Sequence, residues 1–166
     1  MGHSLRLLVG PEAALRPFLA LLPEARLVEP VPGAPLLVLA IDDERHDTMH
    51  EAYGTGEWLD AGPRLTSTDM AFCAAASRGA ALAYIEIEYF AGEASQSAVL
   101  WRDGQMVIPP ATLDVATATR RPRALWPVNA ALRGLGVVAQ KDLDEFTTFG
   151  LDRWRSSATF AGETGG

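Results

Sequence analysis

The fold follows from one stretch of the sequence, Ala83-Tyr84-Ile85-Glu86-Ile87-Glu88-Tyr89-Phe90. Its side chains alternate, so that Ile85, Ile87 and Tyr89 share one face of a strand, and Glu86 and Glu88 share the other. Residues 96–101 predict the returning strand. Asp103-Gly104 is typical of a two-residue hairpin turn, and residues 106–108 predict a third strand that ends before Pro109. The stretch therefore predicts an antiparallel meander over residues 81–108.

Outward from this meander, continuous apolar runs over residues 5–9 and 36–41 predict further strands. Apolar residues recur at helical spacing in segments that begin near Pro11, Asp42, Thr66, Pro127 and Asp142. We expect one α+β domain over residues 1–155, with an antiparallel or mixed sheet and helices packed mainly on one face. Residues 156–166 are small and polar apart from one Phe, and we expect them to form a mobile tail.

The composition limits the classes of protein that this chain can belong to. With 166 residues, of which 48% are hydrophobic, it is not a disordered or collagen-like sequence. Fourteen basic and 21 acidic residues give a net charge of −7, which disfavours nucleic-acid binding and favours a basic protein partner. The single Cys73 excludes an internal disulfide and reads as a small core residue. We expect no membrane span and a cytoplasmic location.

Acidic side chains on the meander are the candidate partner-binding residues. Glu86 and Glu88 lie two residues apart on one strand, so their carboxylates are expected on the same side, about 6–7 Å apart. Glu93 follows in the turn. We expect these carboxylates to project into water, where they can meet a basic protein. The same spacing also fits paired acid–base chemistry, and a solvated sheet face with no partner is the alternative.

Two histidines give the alternative, a metal site. His46 and His50 lie at i and i+4, so they project from one side of a helix and can share a zinc ion. Asp47 stands where a metalloprotease of the HExxH type has its catalytic Glu. The sequence leaves the third ligand open among Asp42, Asp43, Glu57, Glu86 and Glu88. Two histidines at this spacing also occur on ordinary half-exposed helix faces, so the first expectation is no cofactor, with zinc as the alternative.

The predicted hairpin also carries a resemblance. Residues 84–92 and 95–101, together with residues 144–151, resemble small uncharacterised proteins of high-GC bacteria that look like immunity factors. The resemblance implies a non-enzymatic module that binds a basic toxin, and it implies no catalytic residues. The sequence thus favours an acidic protein-binding module, and a metal-dependent hydrolase that uses His46 and His50 is the alternative. A homodimer formed through a free strand edge, or through Trp101 and Trp126, is a third possibility.

Overall fold

The computed structural model describes residues 3–90, 93–114 and 121–153, and its centre is a five-stranded antiparallel sheet. The strands are β1 (His3–Gly10), β2 (Leu37–Ala40), β3 (Ala81–Phe90), β4 (Glu93–Arg102) and β5 (Gln105–Asp114). Their order is β2-β1-β3-β4-β5, so β3 is central and the apolar strand β2 lies at one edge. The predicted meander is β3-β4-β5, and the α+β fold class is confirmed.

The tight turn of the meander forms as predicted, but its last strand is longer than predicted. Asp103 and Gly104 have φ of 51° and 80°, which the two-residue turn between β4 and β5 requires. The strand continues past Pro109 and Pro110 to Asp114, because a β-bulge absorbs the two prolines. The register shows the bulge, since Leu100 pairs with Ile108 and Ala98 with Ala111. β5 is an edge strand, where proline is tolerated.

Helices cover both faces of the sheet. They are α1 (Glu12–Leu21), α2 (Asp43–Tyr53), α3 (Ser67–Ala76), α4 (Pro127–Gly134) and α5 (Glu145–Thr148), with short 3₁₀ turns at Arg123–Leu125 and Leu151–Arg153. The three longer helices, α1 to α3, pack on the face that carries Leu8, Tyr84 and Trp101. The shorter α4 and α5 pack on the face that carries Leu7 and Ile85. The majority of helical residues thus share one face, and α4 and α5 add a layer on the other.

One residue of the predicted dimer contact, Trp101, lies in the core of the protein. Trp101 is 1% exposed and belongs to the apolar cluster beneath α1 and α3, so its side chain cannot form a contact with a second chain, and this part of the prediction is wrong. Trp126 is half-buried, and a dimer through Trp126 or through a strand edge stays a prediction. In residues 3–90, 93–114 and 121–153, no helix is long and apolar enough to cross a membrane. The predicted tail, residues 156–166, lies outside the described residues.

Candidate functional site

Helix α2 begins and ends where its sequence predicts. The Asp42 side chain caps its start by accepting a hydrogen bond from the Arg45 backbone N–H at 2.8 Å, and Gly54 ends it with a φ of 90°. His46, His50 and Tyr53 project from the side of α2 that faces α3, because residues three and four apart share one side of a helix. The predicted common face of the two histidines is therefore present.

Helix α3 supplies the group that these side chains meet, the carboxylate of Asp69. Thr66 and Asp69 form a reciprocal capping box: Thr66 Oγ1 accepts from the Asp69 backbone N–H at 3.1 Å, and Asp69 Oδ2 accepts from the Thr66 N–H at 2.8 Å. The cap fixes the Asp69 side chain at the first turn of α3. Asp69 is 1% exposed, so its carboxylate is buried between α2 and α3.

Side chains of α2 converge on both oxygens of this carboxylate. His46 Nε2 lies 2.8 Å from Asp69 Oδ2, and His50 Nε2 lies 3.0 Å from Asp69 Oδ1. The Tyr53 hydroxyl donates a short hydrogen bond to Oδ1 as well. Together with the Thr66 N–H, four donors surround one buried carboxylate. We call His46, His50, Tyr53, Thr66 and Asp69 the Asp69 cluster.

A loop after α2 covers the two imidazoles with an indole. Trp58 pairs with Thr66 in an isolated β-bridge, and the Ser67 N–H donates to the Glu57 carbonyl at 2.7 Å. The Trp58 ring centroid is 5.7 Å from that of His46 and 5.6 Å from that of His50, both in edge-on geometry. Trp58 is nevertheless 51% exposed, so one side of the ring faces solvent.

The Asp69 cluster changes the pKa values of its members. Burial alone would raise the pKa of Asp69, but the hydrogen bonds from His46, Tyr53 and Thr66 outweigh it and lower the pKa to about 2. Burial, and then the hydrogen bond to Asp69, raise the pKa of the Tyr53 hydroxyl well above its usual range. The cluster therefore holds an ionised carboxylate next to a neutral phenol. Burial also raises the pKa of the Cys73 thiol, in keeping with its predicted core position.

Arg6 of β1 extends the cluster on its inner side. Its Nη1 lies 3.4 Å from Nδ1 of His46, and its Nη2 forms an ion pair with Asp43 at the start of α2. The Arg6 side chain is 5% exposed, whereas that of Asp43 is 76% exposed. Arg6 thus reaches from the sheet to the solvent side of α2 and contacts one of the two histidines on its way.

Glu86 is buried, contrary to the expectation that it projects into water. It is 6% exposed and lies under the segment that precedes α3, where its carboxylate accepts from the Arg64 N–H at 3.2 Å and from the Tyr84 hydroxyl at 3.1 Å. Burial raises the pKa of Glu86, and these hydrogen bonds offset only part of that effect. The prediction failed because a covered face cannot be told from an open one by alternation alone.

The other two predicted partner-binding residues lie further along the hairpin. Glu88 is exposed on β3, so it is the predicted partner-binding residue that the structure describes at the surface. Glu93 is the first residue of β4, and its side chain lies outside the described residues. The expected pair of exposed carboxylates, Glu86 and Glu88, is therefore reduced to one.

Asp69 was not among the third ligands that the sequence predicted for the candidate metal site. Its capping pattern with Thr66 was visible in the sequence, but nothing there showed that α3 packs against the histidine side of α2. In the structure one donor atom each from His46, His50 and Asp69 lie within 4.8 Å of one another. None of the predicted third ligands belongs to this group of three.

The donor set and its supports agree with a zinc site in most respects. Two imidazole nitrogens and a carboxylate oxygen are ligands that Zn²⁺ prefers, and tetrahedral zinc holds such atoms about 3.4 Å apart. The distances of 2.8 and 3.0 Å are shorter, so the ligands would have to move apart by about half an ångström. Hydrogen bonds from Thr66 and Tyr53 orient the carboxylate, as outer partners of metal ligands do.

Comparisons of the chain with protein families, curated proteins and solved structures give no match.

Proposed function

We propose that this protein binds a divalent transition-metal ion, with Zn²⁺ as the best match, through His46, His50 and Asp69. The observation that supports this proposal is that three ligand atoms from two different helices lie within 4.8 Å of one another between those helices. Hard cations such as Mg²⁺ and Ca²⁺ prefer sets made of oxygen atoms, so a set with two imidazoles favours zinc over them.

The burial of the ligands limits what a bound ion could do. The side chains of His46, His50 and Asp69 are 7%, 9% and 1% exposed. Three protein ligands leave a fourth position for water, which is the composition of a catalytic zinc site. Their burial, however, favours an ion that holds α2 against α3 over one that admits a substrate. Asp47, the predicted base of the hydrolase alternative, is exposed on α2 while its neighbour His46 is buried.

Metal content and affinity test the proposal directly. Protein without an affinity tag is purified, its zinc is measured by elemental analysis, and its affinity is measured by competition with a chromophoric chelator. We expect one zinc ion per chain in the wild type and a large loss of affinity in His50→Ala. His3→Ala is the matched control, because His3 is the one histidine of the chain besides His46 and His50. A wild type that binds zinc no better than His50→Ala contradicts the proposal.

A second candidate function, the acidic binding module, has its own supporting observation on the outer side of α2. Four exposed residues of α2 are acidic, and the half-exposed ring of Trp58 packs edge-on against His46 and His50 of the same helix. The acidic residues are Asp43, Glu44, Asp47 and Glu51. An aromatic anchor with acidic surroundings suits a basic protein surface, because charge accelerates association and a buried aromatic ring contributes most to affinity. The partner that we propose is a basic nuclease toxin, in keeping with the resemblance to immunity factors.

Variants separate this surface from the one predicted on β3. Binding to a panel of purified basic nucleases is measured at low and high salt for the wild type, Asp47→Lys, Trp58→Ala and Glu88→Gln. We expect salt-sensitive binding that Asp47→Lys and Trp58→Ala weaken and Glu88→Gln leaves intact. Binding that resists salt, or that only Glu88→Gln weakens, contradicts a binding surface on α2.

A further inference from the structure

Arg6 occupies the side of His46 that faces away from the proposed metal position. His46 Nε2 points to Asp69 at 2.8 Å, while His46 Nδ1 points to Arg6 Nη1 at 3.4 Å. Arg6 is held there from a second direction by its ion pair with Asp43. Both nitrogens of this ring therefore have a neighbour that determines where its proton resides.

The chemistry of those neighbours assigns the proton. A guanidinium group carries only hydrogen-bond donors, so the His46 nitrogen that faces Arg6 has to act as the acceptor. The proton of the neutral ring then resides on Nε2, which donates it to the ionised carboxylate of Asp69. The contacts of His46 thus agree with one tautomer and disfavour the other.

A zinc ion requires the opposite arrangement. It would bind His46 at Nε2, and a ligating histidine normally carries its proton on the other nitrogen and donates it to a carboxylate, a carbonyl or water. In this protein the other nitrogen faces the N–H groups of Arg6, so two donors would oppose each other. From this conflict, and resting on the proposed function, we infer that Arg6 is a positioning residue that lowers the zinc affinity of the site by favouring the zinc-free form of His46.

Zinc affinities of matched variants test the inference. Arg6→Met keeps most of the buried stem and removes the donors, so we expect it to bind zinc about tenfold more tightly than the wild type, the lower end of the effect of outer-shell partners. Arg6→Lys, which keeps a cationic donor, should stay close to the wild type. Arg45→Met is the control for charge, because Arg45 also belongs to this region but donates to the Ala40 carbonyl at 2.8 Å.

The zinc affinities of the wild type and these variants distinguish a failure of the inference from a failure of the proposed function. If the wild type binds zinc and Arg6→Met binds it equally or more weakly, this inference is wrong while the proposed function stands. The same holds if Arg45→Met gains as much as Arg6→Met, since the effect is then one of net charge. If neither the wild type nor Arg6→Met binds zinc, both the inference and the proposed function fail.

A spectroscopic measurement on the wild type does not depend on the folding of any variant. Long-range ¹H–¹⁵N NMR of the histidine rings reports which nitrogen carries the proton. In zinc-free protein we expect the proton of His46 on Nε2, and after addition of zinc we expect it on Nδ1. A proton on Nδ1 in the zinc-free protein would overturn the inference, whatever the affinities are.

Discussion

Removal of the Asp69 carboxylate is the most direct test of the Asp69 cluster. In Asp69→Ala four donors lose their acceptor: those of His46, His50, Tyr53 and Thr66. His46 and Thr66 are buried, at 5% and 0% exposure, so their donors cannot turn to water. An unsatisfied buried donor costs about 1–3 kcal/mol, while the hydrogen bond from the residue 69 backbone N–H to Thr66 Oγ1 survives the substitution. For the two buried donors we therefore expect a loss of about 2–6 kcal/mol, a large part of the roughly 5–15 kcal/mol that stabilises a typical domain.

The free energy of unfolding is measured by urea denaturation followed by circular dichroism, with a chelator present so that a bound ion does not contribute. Asp69→Asn keeps the shape and one acceptor oxygen, so we expect it to lose about half as much as Asp69→Ala. Asp47→Ala, an exposed change on α2, serves as the control and should stay within about 0.5 kcal/mol of the wild type. A loss below about 1 kcal/mol in Asp69→Ala would refute the view that the cluster holds α2 against α3.

Three further predictions concern pH and the backbone. The pKa of Asp69 falls from 3.8 to about 2 on folding, so Asp69 contributes stability above pH 3.8 that is lost as the pH falls through 2. Between these pH values the free energy of unfolding of Asp69→Asn should therefore change by about 2 kcal/mol less than that of the wild type. An equal pH dependence in the two proteins contradicts this prediction. The pKa of Glu86 is raised on folding, so its effect on stability has the opposite pH dependence: the stability that Glu86 contributes is lost as the pH rises through its pKa in the folded protein. Glu86→Gln should therefore gain stability relative to the wild type from acid to neutral pH. Glu88→Gln, a change at an exposed residue, should not. Gly56→Ala should destabilise the protein at least twice as much as Gly33→Ala in the same urea assay. Both glycines have a positive φ, of 71° and 79°, so alanine is strained at either position. Only at Gly56 would the added Cβ also come within 2.2 Å of a side-chain oxygen of α3. Equal losses would contradict this reasoning.

The parts of the fold that local sequence determines were predictable. The alternation in β3 and the Asp103-Gly104 turn depend on neighbouring residues, and both are present as predicted. The caps at Asp42 and Thr66 are equally local. The end of β5 was not predictable, because the bulge at its prolines depends on the register of β5 against β4.

The candidate site depends on contacts between distant parts of the chain. His46 and Asp69 are 23 residues apart, and their meeting depends on how α2 and α3 pack on the sheet. In the same way, the burial of Glu86 depends on the segment around Arg64, which is 22 residues away. The helical spacing showed that the two histidines share a side, but only tertiary packing shows what that side faces.

The prolines at the bulge of β5 have a consequence for the behaviour of the protein at high concentration. An outer strand can recruit strands from other molecules through its free N–H and C=O groups, which is how fibrils grow. Pro109 and Pro110 have no N–H to offer, and the bulge bends the strand where they stand. Without them, β5 would have more N–H groups along its outer edge, close to the exposed side chains of Met106 and Val107, and we expect the protein to aggregate more readily.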